Sequence, residues 1–216
     1  MKCIVTAGPT YEEMDQVRRL TNFSTGRLGS ELASYLVEHG HDVVLLLGHY
    51  STWRGKQKAQ TVRGFTTTEN LSSQLEDMAS PDVKAVFHAA AVSDFTFGKI
   101  WTRTPGGELE EIHSSKVTTR SGTLLAELIP TPKLIGHLRS WFPMARIVGW
   151  KYEVEGTKDD VLVKARRQVA ENHIDACVAN GHAYGRGYGL VDTSSVTHCM
   201  EGSALFQALE EFSKQA

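Results

Sequence analysis

"GRLGSELASYLVEHGHDVVLLLG", residues 26–48, holds two hydrophobic patterns with different periods. Leu28, Leu32 and Leu36 recur every four residues, with Ala33 and Val37 widening the stripe, which predicts an amphipathic helix from Gly26 to His39. Gly40 follows as the residue that ends such a helix. "DVVLLLG" (42–48) is then apolar without interruption. A strand without polar alternation belongs in a parallel sheet covered on both faces. The same grammar extends outward. "KCIVTA" (2–7) is a short strand stopped by Gly8-Pro9, 61–65 is a weak strand, and "VKAVFHAAAV" (83–92), "RIVGW" (146–150) and "IDACVAN" (174–180) are buried strands. Helices are predicted near 69–79, with Thr68 as N-cap, and near 132–141 and 157–172. This order predicts an α/β fold with a doubly wound, mostly parallel sheet.

Residues 95–130 break the pattern. A Pro105-Gly106-Gly107 turn, a second turn at Ser121-Gly122 and alternation near Thr123–Ile129 predict one or two β-hairpins projecting from the core. An excursion of that length in a compact domain is usually functional, as a lid or a subunit contact, the alternative being a decorative hairpin.

Bulk properties bound the rest. With 216 residues, 41% hydrophobic and 22% charged, residues 1–216 read as one domain with one substantial core. A formal net charge of −2 gives no global attraction to nucleic acid or to an anionic membrane. The only basic cluster, "WRGKQK" (53–58), reads as a surface loop. No apolar run reaches the roughly 20 residues that span a bilayer. The first residues run straight into a strand, without the pattern of a signal peptide. Cys3, Cys177 and Cys199 are far apart and form no CxxC pair, as expected of buried, reduced thiols in a cytoplasmic protein. The nine histidines show no metal-ligand spacing, so no protein-held metal is predicted.

The chemistry gathers where the first strand ends. "TAGPT", a loop and then Asn22, Ser24, Thr25 and Gly26 at a helix start build a crevice at the carboxyl edge of the sheet. Free N–H groups and the positive helix end favour a phosphate or carboxylate there, unless Ser24 or Thr25 simply caps the helix. Gly26 and Gly29 allow close approach of a ligand or a neighbouring strand. The NAD fingerprint is not met: Gly8 is followed by "PTYEEMDQVRRLTN" before any helix, and the second strand ends "LLLGHY" without an acidic residue. A Walker A loop is absent, and no tyrosine among Tyr35, Tyr152, Tyr184 and Tyr188 has a lysine four residues on, as a short-chain reductase needs.

"TAGPT…DQVRRLTNFSTGRLG", "HAAAVSDF", a Lys-containing hairpin, "TPKLI", "VGW" and "DACVAN" occur in that order across roughly the whole chain. Together they resemble phosphopantothenoylcysteine synthetase (phosphopantothenate–cysteine ligase), the synthetase half of the bifunctional bacterial coenzyme A biosynthesis protein. The resemblance implies a Rossmann-like, cytoplasmic ligase, homodimeric through the 95–130 flap, that joins 4′-phosphopantothenate to L-cysteine. ATP or CTP with Mg²⁺ would activate the carboxylate as an acyl-nucleotide, releasing pyrophosphate. The flavin-binding decarboxylase half has no counterpart, so no flavin is expected.

Carried over position by position, Asn22 would contact the acyl-nucleotide, and Lys116 on the flap, with Lys99 as competitor, would neutralise its charge. Arg18, with Arg19 as alternative, would reach the substrate phosphate from the adjacent subunit. Ala90, Ala91 and Asp94 would hold phosphopantothenate or nucleotide. Gly8, Ser24, Gly26 and Gly29 would line the nucleotide loop, with Trp150 near the base and Asn180 at the base or ribose. The chain departs from the family in two places: Gln168 and Asn172 stand where many bacterial members carry nucleotide-contacting lysines, with Lys164, Arg166 and Arg167 nearby, and Thr118 and Thr119 stand where the flap usually carries further lysines. A catalytically weak or inactive paralogue that only binds these ligands is the alternative.

Overall fold

The computed structural model describes residues 1–113 and 122–215. In chain order, the first half contains β1 (Lys2–Ala7), β2 (Tyr11–Glu13), β3 (Arg19–Thr21), α1 (Arg27–Glu38), β4 (Asp42–Gly48), β5 (Thr61–Phe65), α2 (Thr68–Asp77) and β6 (Val83–His88). Then come β7 (Phe95–Arg103), β8 (Leu109–Glu111), β9 (Leu124–Pro130), a 3-10 turn (Leu134–Gly136) and α3 (Leu138–Trp141). The chain closes with β10 (Arg146–Tyr152), α4 (Lys158–Asn172), β11 (Ala176–Asn180), β12 (Tyr188–Asp192), β13 (Val196–Cys199) and α5 (Gly202–Lys214).

The main sheet has eight strands in the order β13-β12-β11-β10-β6-β1-β4-β5. From β5 to β11 every pairing is parallel; β12 and β13 add an antiparallel edge. The chain winds outward from β1 to β5, returns to β6 and winds outward again, so strand order reverses between β1 and β6. Such a reversal opens a crevice at the carboxyl ends of the strands. The apolar β4 divides itself between two cores: Val43 and Leu45 join α1 and α5 on one face, while Leu46 joins α2, α3 and α4 on the other. That split is why a helix of period four and a strand without alternation belong together.

Several boundaries move, each for a local reason. α2 begins at Thr68 and is capped by Thr67, whose hydroxyl accepts the Asn70 N–H. Thr68 instead turns inward and donates to Glu12 Oε1 at 2.6 Å. The strand expected over 83–92 ends at His88 because residues 89–93 cross over to bond the β1 loop. The helix expected over 132–141 is a 3-10 turn followed by the four-residue α3. The described strands within 95–130 form a separate three-stranded antiparallel sheet, β8-β7-β9, consistent with the hairpins read from the turns. Ser121, of the second turn, lies outside the described residues. The hairpin β2–β3 and the run β12–β13–α5 were not anticipated. Cys3, Cys177 and Cys199 are free and buried. Among the described residues, no helix is long and apolar enough to cross a membrane.

Candidate functional site

At the reversal point the loops after β1 and β6 are laced together. Thr6 O accepts Ala89 N–H at 3.2 Å, Gly8 O accepts Ala91 N–H at 2.9 Å, and Ala91 O accepts Thr10 N–H at 3.2 Å. Side chains extend the lacing: Ala90 N–H donates to Thr6 Oγ1 at 3.1 Å, and Ser93 N–H to Thr10 Oγ1 at 2.8 Å. Asn22 adds a third strand of contact, since its Nδ2 donates to Val92 O at 2.9 Å. The two motif blocks that are 70 residues apart in sequence therefore meet through Asn22. An amide has two N–H groups and an acceptor oxygen, so a ligand still finds one donor and the carbonyl on this exposed side chain.

α1 starts beside this lacing at Gly26, which takes φ +76° and offers no side-chain cap. The first turn carries no acidic residue. Thr25 Oγ1 accepts Arg27 N–H at 3.3 Å, a turn contact rather than a helix cap. α5 likewise starts without a side-chain cap, whereas α2 and α4 are capped by Thr67 and Thr157. α1 and α5 pack on the same face of the sheet and touch each other. Their positive ends are open at its carboxyl edge.

The glycines here have distinct jobs. Gly8 has φ +83°, and a Cβ on it would stand 1.9 Å from Ser51 Oγ; one on Gly26 would stand 2.7 Å from the same atom. Ser51 thus fills the hollow between them. Gly29 lets α1 lie against β1, since a Cβ would come within 2.7 Å of Ala7 Cβ. This is the close approach of a neighbouring strand expected at Gly29.

Two cavities open along the carboxyl edge. One, about 440 Å³, lies at the end of β11 and the start of α5, between Asn180, Gly181, Gly187, Tyr188 and Gly202. The other, about 180 Å³, lies between the ends of β6 and β10, lined by His88, Ala90, Asp94, Lys133, Trp150 and Gln168 among others. Among the described residues, the buried Nε1 of Trp150 and the buried Oδ1 of Asn180 have no hydrogen-bond partner. Buried polar atoms are rarely left unpaired, and one donor and one acceptor at neighbouring strand ends invite a polar ligand.

The structure brings Gly8, Asn22, Ser24, Gly26 and Gly29 to one loop system, Ala90, Ala91 and Asp94 to the strand end laced to it, and Trp150 and Asn180 to the next two strand ends. The N–H of Ala90 and both main-chain groups of Ala91 are used within the fold, so these alanines contribute chiefly their small size. Asp94 is exposed at the cavity rim. Arg18 sits in the turn between β2 and β3, its Nη1 2.6 Å from Asp15 Oδ2. Arg19 pairs with Glu13 and lies over the Tyr11 ring. Lys99 pairs with Glu111 at 2.9 Å, and Lys116 lies outside the described residues. Gln168 Nε2 donates to Trp150 O at 3.3 Å, and Asn172 Nδ2 to Gln168 O at 2.8 Å, so both amides are held in structural bonds; Thr118 and Thr119 lie outside the described residues.

His88 was missed by sequence reasoning. It is buried, lines the smaller cavity, and burial lowers its pKa to about 4. A histidine inside an otherwise apolar strand was the available signal. Lys151, on the same cavity, pairs with Glu153 at 3.1 Å, and Lys164 pairs with that carboxylate at 2.5 Å. Burial raises the Glu153 pKa, but the two lysines outweigh it and the net shift is downward. Among the described residues, no three His, Cys, Asp or Glu side chains cluster to hold a metal ion.

A doubly wound, mostly parallel sheet with laced loops at its switch point defines a Rossmann-like α/β domain. More specifically, the chain belongs to the DNA/pantothenate metabolism flavoprotein C-terminal domain family, whose model matches residues 1–216. It is 30% identical over 195 residues to the coenzyme A biosynthesis bifunctional protein CoaBC of Bacillus subtilis, covering 90% of this chain and 43% of that protein. The CoaBC protein of Thermococcus kodakarensis is 29% identical over 180 residues, covering 83% and 41%. The chain thus spans less than half the length of these relatives. The crystal structure of a DNA/pantothenate metabolism flavoprotein from Streptococcus pneumoniae superposes with a TM-score of 0.85 at 25% identity, covering 98% of this chain and 97% of that one.

Proposed function

We propose that this chain is a phosphopantothenate–cysteine ligase, a single synthetase domain acting as a cytoplasmic homodimer with ATP or CTP. One carboxylate oxygen of 4′-phosphopantothenate attacks the α-phosphorus, and the bond to the β-phosphate breaks, releasing pyrophosphate. The cysteine amine then attacks the acyl carbon, loses a proton, and expels the nucleoside monophosphate with that oxygen. Mg²⁺ enters with the triphosphate as part of the substrate and screens its charge.

The protein's part is positioning and charge compensation. The open end of α1, with Ser24 and Gly26, receives nucleotide phosphates. Asn22, fixed to Val92 O, presents its remaining N–H and its carbonyl to the mixed anhydride. Asp94 and the small Ala90 and Ala91 border the pantothenate side. Arg18 serves the phosphate of the neighbouring subunit's substrate, and Lys116 neutralises charge on the activated acyl group. The observation that carries this reading is the pair of orphaned atoms, Trp150 Nε1 and Asn180 Oδ1, at the positions carried over for the nucleotide. Membership of the family and the names of its CoaBC relatives support the chemistry.

Purified protein given 4′-phosphopantothenate, L-cysteine, Mg²⁺ and a triphosphate is expected to release pyrophosphate over many turnovers, and no more than one equivalent per site when cysteine is left out; silence with both ATP and CTP refutes the proposal. A second reading is favoured by Gln168 and Asn172, amides in place of lysines: a paralogue that binds without turnover. Calorimetric binding of the same ligands with no pyrophosphate would select it.

A further inference from the structure

We infer that His88 is a ligand-binding residue: a neutral imidazole locked as the Nε2–H tautomer, donating a hydrogen bond to an uncharged acceptor of the molecule that enters the smaller cavity. Nδ1 lies 3.0 Å from Thr6 Oγ1, and that hydroxyl already accepts Ala90 N–H at 3.1 Å. Thr6 is fully buried. If Nδ1 carried the proton, the Thr6 hydroxyl would accept twice and leave its own hydrogen unpaired, a costly arrangement inside a protein. The hydroxyl therefore donates to Nδ1, and the ring proton sits on Nε2. Among the described residues, Nε2 has no hydrogen-bond partner, and the residue lines the cavity.

The glycine opposite the ring lets two side chains of the cavity wall pack closely against the sheet beside it. Gly149 pairs with His88 in register, and a Cβ there would stand 2.6 Å from both Gln168 Nε2 and Ile135 Cδ1. Leu134, Ile135 and Val92 add apolar wall. The charged groups on this cavity, Asp94, Lys133 and Lys151, are half-buried or exposed; its buried polar residues are His88 and Ser93, and the Ser93 hydroxyl is already spent donating to Phe95 O. A carboxylate or phosphate against the ring would draw a second proton onto it, against the depressed basicity that burial gives. A carbonyl oxygen or an unprotonated ring nitrogen matches a neutral N–H donor. At about 180 Å³ the cavity holds a fragment of a ligand rather than a whole one. With the ligase reading as premise, that acceptor belongs either to the nucleotide base or to the amide of phosphopantothenate.

The test is calorimetry of wild type, His88→Phe and His88→Gln with ATP, CTP and 4′-phosphopantothenate, with thermal melts alongside. His88→Phe should weaken one ligand class about 5- to 100-fold, as expected when a buried acceptor loses its donor, and His88→Gln, which keeps an N–H donor, should recover most of it. Loss confined to the nucleotides assigns the base; loss confined to phosphopantothenate assigns the amide. Unchanged affinities in His88→Phe, or equal losses for all three ligands, overturn the inference while the ligase reading stands. A wild type that binds none of the three refutes both. Imidazole nitrogen NMR of the unmodified protein needs no variant: Nδ1 unprotonated and Nε2 protonated is expected, with the Nε2–H signal moving on ligand addition, and the opposite tautomer refutes the lock.

Discussion

Replacing Asn22 with aspartate separates stability from chemistry. The Nδ2–H···O bond to Val92 is 2.9 Å long and exposed, and the substitution puts a carboxylate oxygen against a carbonyl oxygen. A neutral hydrogen bond contributes about 0.5–1.5 kcal/mol net, and exposure to water relieves part of the repulsion, so a cost of about 1 kcal/mol is expected. For a chain of this length that lowers Tm by about 2–4 °C. The effect on turnover is of another size, because the same amide is proposed to face the developing charge of the mixed anhydride. Loss of such a preorganised donor costs about 100- to 1,000-fold in kcat. Pyrophosphate release at saturating substrates, measured beside thermal melts, reads both. A kcat within threefold of wild type would refute the role given to Asn22. A kcat that falls only in step with unfolding would refute it equally.

Other consequences follow from the same geometry. Gly29→Ala forces a methyl to within 2.7 Å of Ala7 Cβ and should destabilise the fold by about 1–3 kcal/mol in urea unfolding; an unchanged midpoint would mean α1 shifts freely on β1. His88 binds its proton far more weakly folded, at about 4, than unfolded, near the ordinary 6.5. The unfolded state therefore takes up the proton first as pH falls, and stability should drop from about pH 6.5 to pH 4 by up to about 3 kcal/mol, a slope that His88→Phe should flatten. Glu210 governs the next window: burial raises its pKa, but hydrogen bonds from Lys214 and His41 outweigh that and hold it at about 2. Its contribution is present above pH 4.5 and lost as pH falls toward 2, and Glu210→Gln should remove that acid limb in melts taken across the range. If Arg18 serves the neighbouring subunit, mixing inactive Arg18→Ala and Asn22→Asp proteins should restore about a quarter of wild-type turnover, since half of randomly mixed dimers carry one intact site. No recovery after subunit exchange would place Arg18 in its own subunit's site.

The parallel sheet was legible because its signals are local and strong. β4 has no polar face, α1 repeats every four residues, and Gly40 ends it at φ +80°. What escaped was either too short or decided by tertiary contacts. β2 and β3 are three residues each, too brief for alternation to register, and they exist because their hairpin packs beside β7. Three threonines in a row offered three caps, and the choice of Thr67 rests on Thr68 being claimed by Glu12, 56 residues away. The end of β6 at His88 is set by the lacing to β1, which no reading of 83–92 alone contains. α5 is a different case, since Leu205, Leu209 and Phe212 carry helical spacing and were readable. At the site, motif order placed Asn22 and Asp94 on segments that do meet. The role of Ser51 in shaping Gly8 and Gly26, and of Thr6 in fixing His88, depends on strand register and so emerges only in three dimensions.

The most direct measurement of the proposed chemistry is isotope transfer. With both carboxylate oxygens of 4′-phosphopantothenate replaced by ¹⁸O, one label should appear in the nucleoside monophosphate, one should remain in the new amide, and pyrophosphate should carry none. Amide product formed with unlabelled monophosphate, or no amide from any triphosphate, would contradict the acyl-nucleotide route for this protein.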